Sequence, residues 1–475
     1  MPLLRDRNRR TDRYLIGARG SSGDHEPQMN AFTNTEPEAG LRTQLIRGVT
    51  GSFGLKVVHT LLNFAISIVL ARTLAPEGYG IYAFAFSVVA LLAVPVQMGL
   101  PTLVIREVAR YEFARRWDHL RGILQRANQA VLFFSLLVGL TALMLGWWFF
   151  ENMEPTQRAT LAWALLLLPL VAFNRLREAA LQGLRRVVVG QFPDMVLVPL
   201  VFLGLLFAAY AAQGLTPPLA MALYALSVAM AFLVGSFLLV RALPDGVRTV
   251  APRYETRAWL RSVLPLSMLG GLSVINAQTD IFMLGLLSTS ENVGLYRIAF
   301  SGAALVLFTL TAVNAVLAPH VARLYKAGDT ERLQKLVTRS VQITFVAALP
   351  VVLVFVVFGG ALLEFVFGVD FRPSWGALAI LSMAQLVNVA VGSVHVILNM
   401  TGYERETMKG AFYAAVLNVV LNALLIPQFG IEGAAVATGI SIMAVNVILL
   451  RVLWNRTGIW SFVVRWPNRR RVYEQ

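Results

Sequence analysis

Twenty consecutive residues, VLFFSLLVGLTALMLGWWFF at 131–150, carry no ionisable side chain. A helix of that length covers about 30 Å, the thickness of a bilayer's hydrocarbon core. Inside lipid, backbone N–H and C=O groups must be satisfied within their own segment, so a helix is the form such a run takes. Comparable runs recur at 47–71, 79–100, 127–150, 158–174, 192–213 and 216–241, and again at 259–287, 293–317, 337–360, 375–399, 407–427 and 431–454. A membrane β-barrel would instead present alternating segments of about ten residues. The expected class is an all-α polytopic membrane protein with about 12 transmembrane helices. Composition agrees, since 14% of residues are charged where soluble domains carry about a quarter.

An even number of spans puts both termini on one side. With that side cytoplasmic, about 36 of the 41 lysines and arginines fall in cytoplasmic segments, as the positive-inside rule requires. The formal charge of +15 is thereby explained by topology, and no nucleic acid partner is implied. The basic connections are 101–126, 175–191, 242–258 and 318–336. The longest outer connection, 361–374, is too short to house the acceptor site of a membrane enzyme, so no enzymatic activity is expected. The chain has no cysteine, which excludes disulfides, thiol catalysis and cysteine-based zinc sites.

The sequence repeats itself. NFAISIVLARTLAPEGYGIYAFAFS (63–87) aligns with NAQTDIFMLGLLSTSENVGLYRIAFS (276–301), pairing Asn63 with Asn276, Gly80 with Gly294 and Tyr82 with Tyr296. Further on, Val108-Ala109-Arg110 pairs with Val321-Ala322-Arg323 and Leu120 with Leu333, at an offset of about 213. Each copy holds six spans, so the copies share one membrane orientation and form two pseudo-symmetric lobes around a central cavity. The expected organisation is a disordered basic cytoplasmic tail (1–44), an N-lobe (45–243), a cytoplasmic inter-lobe linker (244–258), a C-lobe (259–456) and a second basic cytoplasmic tail (457–475).

Polar residues interrupt the apolar runs in register. Lys56, Thr60, Asn63 and Ser67 share one helical face, with His59 beside them. The equivalent span carries Ser273, Asn276 and Asp280, and the tenth span carries Gln385, Asn388, His395 and Asn399. Lipid offers such groups no partners, so these stripes are expected to face a cavity. A lysine at the depth of Lys56 costs about 2.5 kcal/mol or more, and Arg297 is a second cation within a span. Asp280 is the candidate for binding a coupling ion. GIEGAAVATG (430–439) has spaced glycines but no strand before it and is not a nucleotide site. HTLLN lacks the glutamate and second histidine of a zinc helix, and no metal site is expected. RLREAALQGLRR (175–186) reads as a basic amphipathic stretch at the membrane surface.

ISIVLARTLAPEGYGIYAFAFSVVALLAVPVQMGL, NAQTDIFMLGLLSTSENVGLY and LNVVLNALLIPQFGIEGAAVATGIS resemble the polysaccharide-biosynthesis flippases (Wzx type) of the MOP superfamily, in the right order over about 45–455. The resemblance implies the two-lobed fold of MATE exporters and lipid II flippases. It also implies movement of undecaprenyl-pyrophosphate-linked oligosaccharide from the inner to the outer leaflet of a bacterial inner membrane, for O-antigen, capsule or exopolysaccharide. The expected substrate site is Lys56, Arg297, His59, Asn63 and Asn276, lining a cationic cavity. No cofactor is implied beyond proton or sodium coupling. The implied partners are membrane lipids, a polysaccharide polymerase and glycosyltransferases, around a monomer. The rival readings are a MATE-type cation antiporter, which a cationic cavity disfavours, and a lipid II flippase, which usually has two further spans.

Overall fold

The computed structural model describes residues 38–150, 153–212 and 214–464, with side chains at 51–144, 153–212, 214–263 and 270–464. The chain divides at Arg47, and Gly48–Gln475 is one unit. The tail expected at 1–44 lies outside the described residues except for 38–44, which are helical.

The described residues are helical, with no strand among them. In chain order the N-lobe helices are α1 (Glu38–Gln97), α2 (Leu100–Phe113), α3 (Trp117–Phe150), α4 (Pro155–Gly183), α5 (Val187–Phe192), α6 (Val198–Ala212) and α7 (Pro217–Ala242). A short α8 (Asp245–Thr249) lies in the linker. The C-lobe has α9 (Thr256–Leu287), α10 (Ser290–Ala304), α11 (Val306–Lys326), α12 (Thr330–Phe367), α13 (Trp375–Val391), α14 (Val394–Met400) and α15 (Glu404–Thr457).

Ten described helical segments are long and apolar enough to cross a membrane. Two are of double length, 47 residues over Gly51–Gln97 and 54 over Glu404–Thr457. Each contains one residue outside helical dihedrals, Ala75 (φ 56°, ψ 174°) and Gly430 (φ 56°, ψ −127°). At Gly430 the chain folds back on itself: a Cβ on Gly433 would lie 2.3 Å from the carbonyl oxygen of Leu425, whereas eight residues of straight helix advance about 12 Å. If each half of the two long helices crosses separately, ten segments supply twelve crossings.

Several expected loops are helix. The connection 101–126 holds α2 and the start of α3, and 175–183 is the last turns of α4, with Leu176, Ala179, Ala180 and Leu181 buried. The RLREAALQGLRR stretch is therefore mostly a continuation of a packed helix, because its apolar side faces α2 and α5 rather than the membrane surface. Within the expected span 293–317 the helix tightens at Leu305, between α10 and α11, where the residue keeps helical dihedrals (φ −64°, ψ −29°). The second tail begins later than residue 456. Ile459 and Ser461 are buried, Ser461 donates to the Val391 carbonyl (2.7 Å), and Gln334 exchanges hydrogen bonds with the Trp460 backbone (2.7 and 2.8 Å). Residues 465–475 lie outside the described residues.

The lobes meet at the end of the bundle that holds the Ala75 turn. There the repeat-related glycines pack backbone to backbone: a Cβ on Gly80 would lie 1.7 Å from Ser290 O, and one on Gly294 would lie 2.0 Å from Pro76 O. Only glycine permits that approach. Beside this seam, Arg72 donates to the last carbonyls of α12, Val366 O at 2.8 Å and Phe365 O at 2.5 Å. These carbonyls have no partner within the helix, and a cation suits that end of its dipole. Phe64 packs edge-on against Phe367, and Phe84 stacks on Phe282.

At the opposite end the linker is fastened to the N-lobe. The Arg253 N–H donates to Asp118 O (3.0 Å), and Arg121 donates to the carbonyls of Arg248 (2.9 Å) and Val250 (2.7 Å). Glu255 accepts from the Tyr111 hydroxyl (3.1 Å) and lies 3.1 Å from His119 Nε2 and 3.5 Å from Arg116 Nη2. Burial pushes the Tyr111 phenol up to about 12, so it remains a donor at neutral pH. Trp259, the fourth residue of α9, donates to the Tyr111 oxygen at 3.2 Å.

Candidate functional site

A cavity of about 480 Å³ opens between the lobes. The first half of α1 contributes His59, Thr60, Asn63 and Ser67, whose spacing puts them on one face. Within that face, Asn63 Nδ2 donates to His59 O (2.8 Å) and Ser67 Oγ to Asn63 O (2.9 Å). These bonds satisfy part of each polar group inside its own helix, leaving the remaining capacity for a guest. The Nδ1 of His59 lies 3.1 Å from the Met195 carbonyl.

Met195 and Asp194 belong to a five-residue π-helical turn, Pro193–Leu197, between α5 and α6. Such turns widen a helix and re-aim its side chains, and here they put both residues in the cavity wall. Asp194 lies 3.4 Å from Arg175, which also pairs with Glu178 at 2.9 Å. The C-lobe wall comes from α10, with Arg297, Phe300 and Ser301. Arg297 has no ion-pair partner among the described residues, so its charge is the uncompensated one in the cavity. An aromatic floor completes the site: Tyr82 stacks on Phe202, and Phe202 and Phe86 both pack edge-on against Tyr224.

Of the residues expected to bind substrate, His59, Asn63 and Arg297 line this cavity, while Lys56 and Asn276 are not in its lining. Lys56 is exposed, about one turn before His59 on the same helix. Asn276 points into the C-lobe, where it donates to Ala411 O (3.4 Å). The expected stripe on the tenth span does not hold as one face. Gly392 (φ 78°) breaks the helix between α13 and α14, so spacing does not carry from Asn388 to His395. Gln385 and Asn388 join a chain inside the C-lobe in which Asn446 donates to Asn388 (2.9 Å) and Asn388 to Gln385 (3.2 Å). His395 is half-buried and Asn399 exposed on the short α14.

Asp280 lies at a second polar centre, buried to 2% exposure within the C-lobe. Its Oδ1 accepts from Asn418 (2.9 Å) and Asn422 (2.7 Å), and its Oδ2 from Tyr296 (2.8 Å) and Thr438 (2.6 Å). Four neutral donors surround the carboxylate, with no cation within ion-pair distance among the described residues. The side-chain oxygen of Asn422 is buried without a hydrogen-bond donor.

Sequence reasoning missed Asp194, and it placed Arg175 at the surface. Nothing in the local sequence announces the π-helical turn that brings Asp194 inward. The cage of Asp280 left a clearer signal: Asn418 and Asn422 are four apart in LNVVLN, hence on one face of a span.

The fold is shared with solved multi-pass membrane transporters. An inward-facing MATE-family multidrug transporter superposes with a TM-score of 0.67 at 17% identity, over 84% of this chain and 94% of that one. The lipid II flippase MurJ, in an inward closed conformation, superposes with a TM-score of 0.66 at 12% identity, over 86% and 87%. By sequence, residues 69–375 match the polysaccharide biosynthesis protein family, and the chain belongs to that family. Among curated relatives in Haloferax volcanii, the probable low-salt glycan biosynthesis flippase Agl15 is 30% identical over 173 residues, 36% of this chain and 36% of that protein. The chain thus spans little more than a third of that relative. The probable flippase AglR is 24% identical over 420 residues, 86% of this chain and 83% of that one.

Proposed function

We propose that this protein is a flippase for lipid-linked glycans. It carries a polyprenyl-pyrophosphate-linked oligosaccharide, on undecaprenyl in a bacterial host, from the inner to the outer leaflet of the cytoplasmic membrane for surface polysaccharide assembly. Both termini are cytoplasmic, and the seam beside the Ala75 turn then closes the outer side. The observation that carries the reading is Arg297, a cation without a carboxylate partner among the described residues, in the inter-lobe cavity with His59, Asn63 and an aromatic floor. Planar guanidinium donors suit phosphate oxygens, and aromatic faces suit the apolar faces of sugar rings. Arg175 is held by Asp194 and Glu178 and becomes a second phosphate ligand when that pairing loosens. Lys56 draws the headgroup toward the mouth. The lipid tail stays in the bilayer between the lobes. Enzymes of glycan assembly, a polymerase and glycosyltransferases, are its functional partners, and the monomer is the transporting unit.

Outward movement of negative charge from a negative interior gains about 2.3 kcal/mol per charge per 100 mV. The return step is coupled to a cation at Asp280, sodium or a proton. The buried, donor-free oxygen of Asn422 beside that carboxylate supports a cation ligand set.

The test is the appearance of labelled lipid-linked oligosaccharide in the outer leaflet of reconstituted vesicles. Arg297→Ala should slow flipping roughly tenfold or more, as expected for charge-assisted hydrogen bonds of about 1.5–3 kcal/mol, and Arg297→Lys should recover part of it. Undiminished flipping by Arg297→Ala would refute the site. Normal outer-leaflet display in cells depleted of the protein would refute the function.

A further inference from the structure

Four helices close their C-termini on the same end of the molecule with residues in the left-handed region. At α2 the Arg116 N–H donates to Tyr111 O (2.9 Å) and the Arg115 N–H to Glu112 O (3.1 Å). At α4 the Arg186 N–H donates to Leu181 O (2.9 Å) and the Arg185 N–H to Gln182 O (3.0 Å). At α11 the Asp329 N–H donates to Leu324 O (3.1 Å), and at α14 the Tyr403 N–H donates to Leu398 O (2.9 Å). These closures put one residue at positive φ, usually glycine because a Cβ is disfavoured there. The C-lobe conforms, with Gly328 (φ 71°) and Gly402 (φ 87°). The N-lobe has Arg115 (φ 51°) and Arg185 (φ 61°).

These positions correspond. The repeat register that aligns Val108-Ala109-Arg110 with Val321-Ala322-Arg323 pairs Arg115 with Gly328. Arg185 precedes α5 by two residues, as Gly402 precedes α15 by two. One copy of the repeat thus has arginine twice where the other has the unstrained residue.

The two arginines belong to one surface. Arg185 Nε lies 3.5 Å from Glu112, bridging the ends of α4 and α2, and its side chain is 72% exposed. Arg115 and Arg186 are exposed with no ion-pair partner among the described residues. Phe113 beside them is 82% exposed. α4 is long and apolar enough to cross a membrane over Pro155–Gly183; 29 residues of helix cover about 43 Å, the thickness of a bilayer with its headgroups, so a full crossing puts Arg185 at headgroup level. Exposed arginines with an exposed aromatic ring at that level match a lipid headgroup and the acyl boundary beneath it.

We propose that the Arg115 and Arg185 caps, with Arg186 and Phe113, form a docking surface on the N-lobe for the phosphate of an anionic phospholipid. Binding to that lipid compensates the backbone strain of placing arginine where glycine would rest.

The full-length protein is reconstituted in mixed phosphatidylglycerol–phosphatidylcholine vesicles, extracted, and its retained lipid quantified, with thermal stability measured in parallel. The Arg115→Gly/Arg185→Gly pair should lose anionic-lipid enrichment by about thirty-fold, the factor that about 1 kcal/mol per basic residue at a membrane surface gives for two residues. Its melting temperature should be unchanged or higher, because strain is relieved. The Arg115→Lys/Arg185→Lys pair should retain most of the enrichment, and excess inorganic phosphate should not displace the lipid. Full enrichment in the glycine pair would overturn the proposal, and so would a loss of enrichment accompanied by a lowered melting temperature, which would make the arginines structural caps. Displacement by inorganic phosphate would overturn it in favour of a free-anion site.

Discussion

Replacing Gly80 with alanine tests the inter-lobe seam directly. The added Cβ would lie 1.7 Å from Ser290 O, 2.7 Å from Ser290 C and 2.9 Å from Gly294 N. All three are backbone atoms, so no side-chain rotation relieves the clash. Ordinary contact begins at 3.4 Å, and the facing backbone must therefore retreat by about 1.7 Å. Overpacking of this kind costs about 1–3 kcal/mol. The cost falls on the state in which the seam is closed and vanishes when the lobes part. The ratio of closed to open seam should then fall by roughly 5- to 150-fold. The chain has no cysteine, so spin labels at Glu77→Cys and Glu291→Cys report the seam without background. Double electron–electron resonance should show the label distance lengthening in Gly80→Ala, and likewise in Gly294→Ala. Gly204→Ala is the control, since a Cβ there meets nothing within 4 Å. An unchanged distance distribution in a stable Gly80→Ala protein would refute the reasoning.

Asp280→Asn should abolish the ion dependence of flipping and lower stability by about 1–3 kcal/mol, since an amide keeps one acceptor oxygen and leaves two of the four donors facing its NH2 group; a flux with unaltered ion dependence would remove Asp280 from coupling. Lys56→Ala should slow flipping less than Arg297→Ala, because Lys56 lies outside the cavity lining, and the reverse order would place the phosphate nearer the mouth. Tyr111 has its folded pKa raised to about 12, so its contribution to stability is full below the ordinary phenol value near 10 and drains as pH rises through about 12. Tyr111→Phe should flatten that alkaline limb in a series of thermal melts, and an identical limb would show that another group sets it.

Periodicity and length made the helices legible, because a lipid-embedded backbone has one local solution and its side chains record it. The repeat was legible through Gly80, Tyr82 and their partners, and the structure gives Gly80 and Gly294 a reason to match: they touch. All of the polar stripe on the first span except Lys56 led to the cavity, since His59, Thr60, Asn63 and Ser67 lie on an unbroken stretch of helix. The stripe on the tenth span failed at Gly392, where one residue at positive φ ends the period on which spacing arguments depend. Asp194 was hidden for a related reason, as a π-helical turn shifts the phase of everything near it. Asp280 was visible as a buried acid, but its four donors come from three other stretches of chain, and no local pattern gathers them.

The fastening of the linker has a mechanical consequence. Tyr111 and Glu255 hold the first turn of α9 to the N-lobe through Trp259, while Asn418 and Asn422 hold the far part of the same helix to the C-lobe through Asp280. α9 is therefore a beam clamped at each end by a different body. For lobes that rock as proposed there is no slack in the connection, and the bending moment must be taken up between the clamps. Gly270 and Gly271 lie in that interval, and a Cβ on Gly270 would meet nothing within 4 Å. On the proposed mechanism the lobes are joined by an elastic element rather than a tether, and each rocking cycle would flex the helix that carries Asp280.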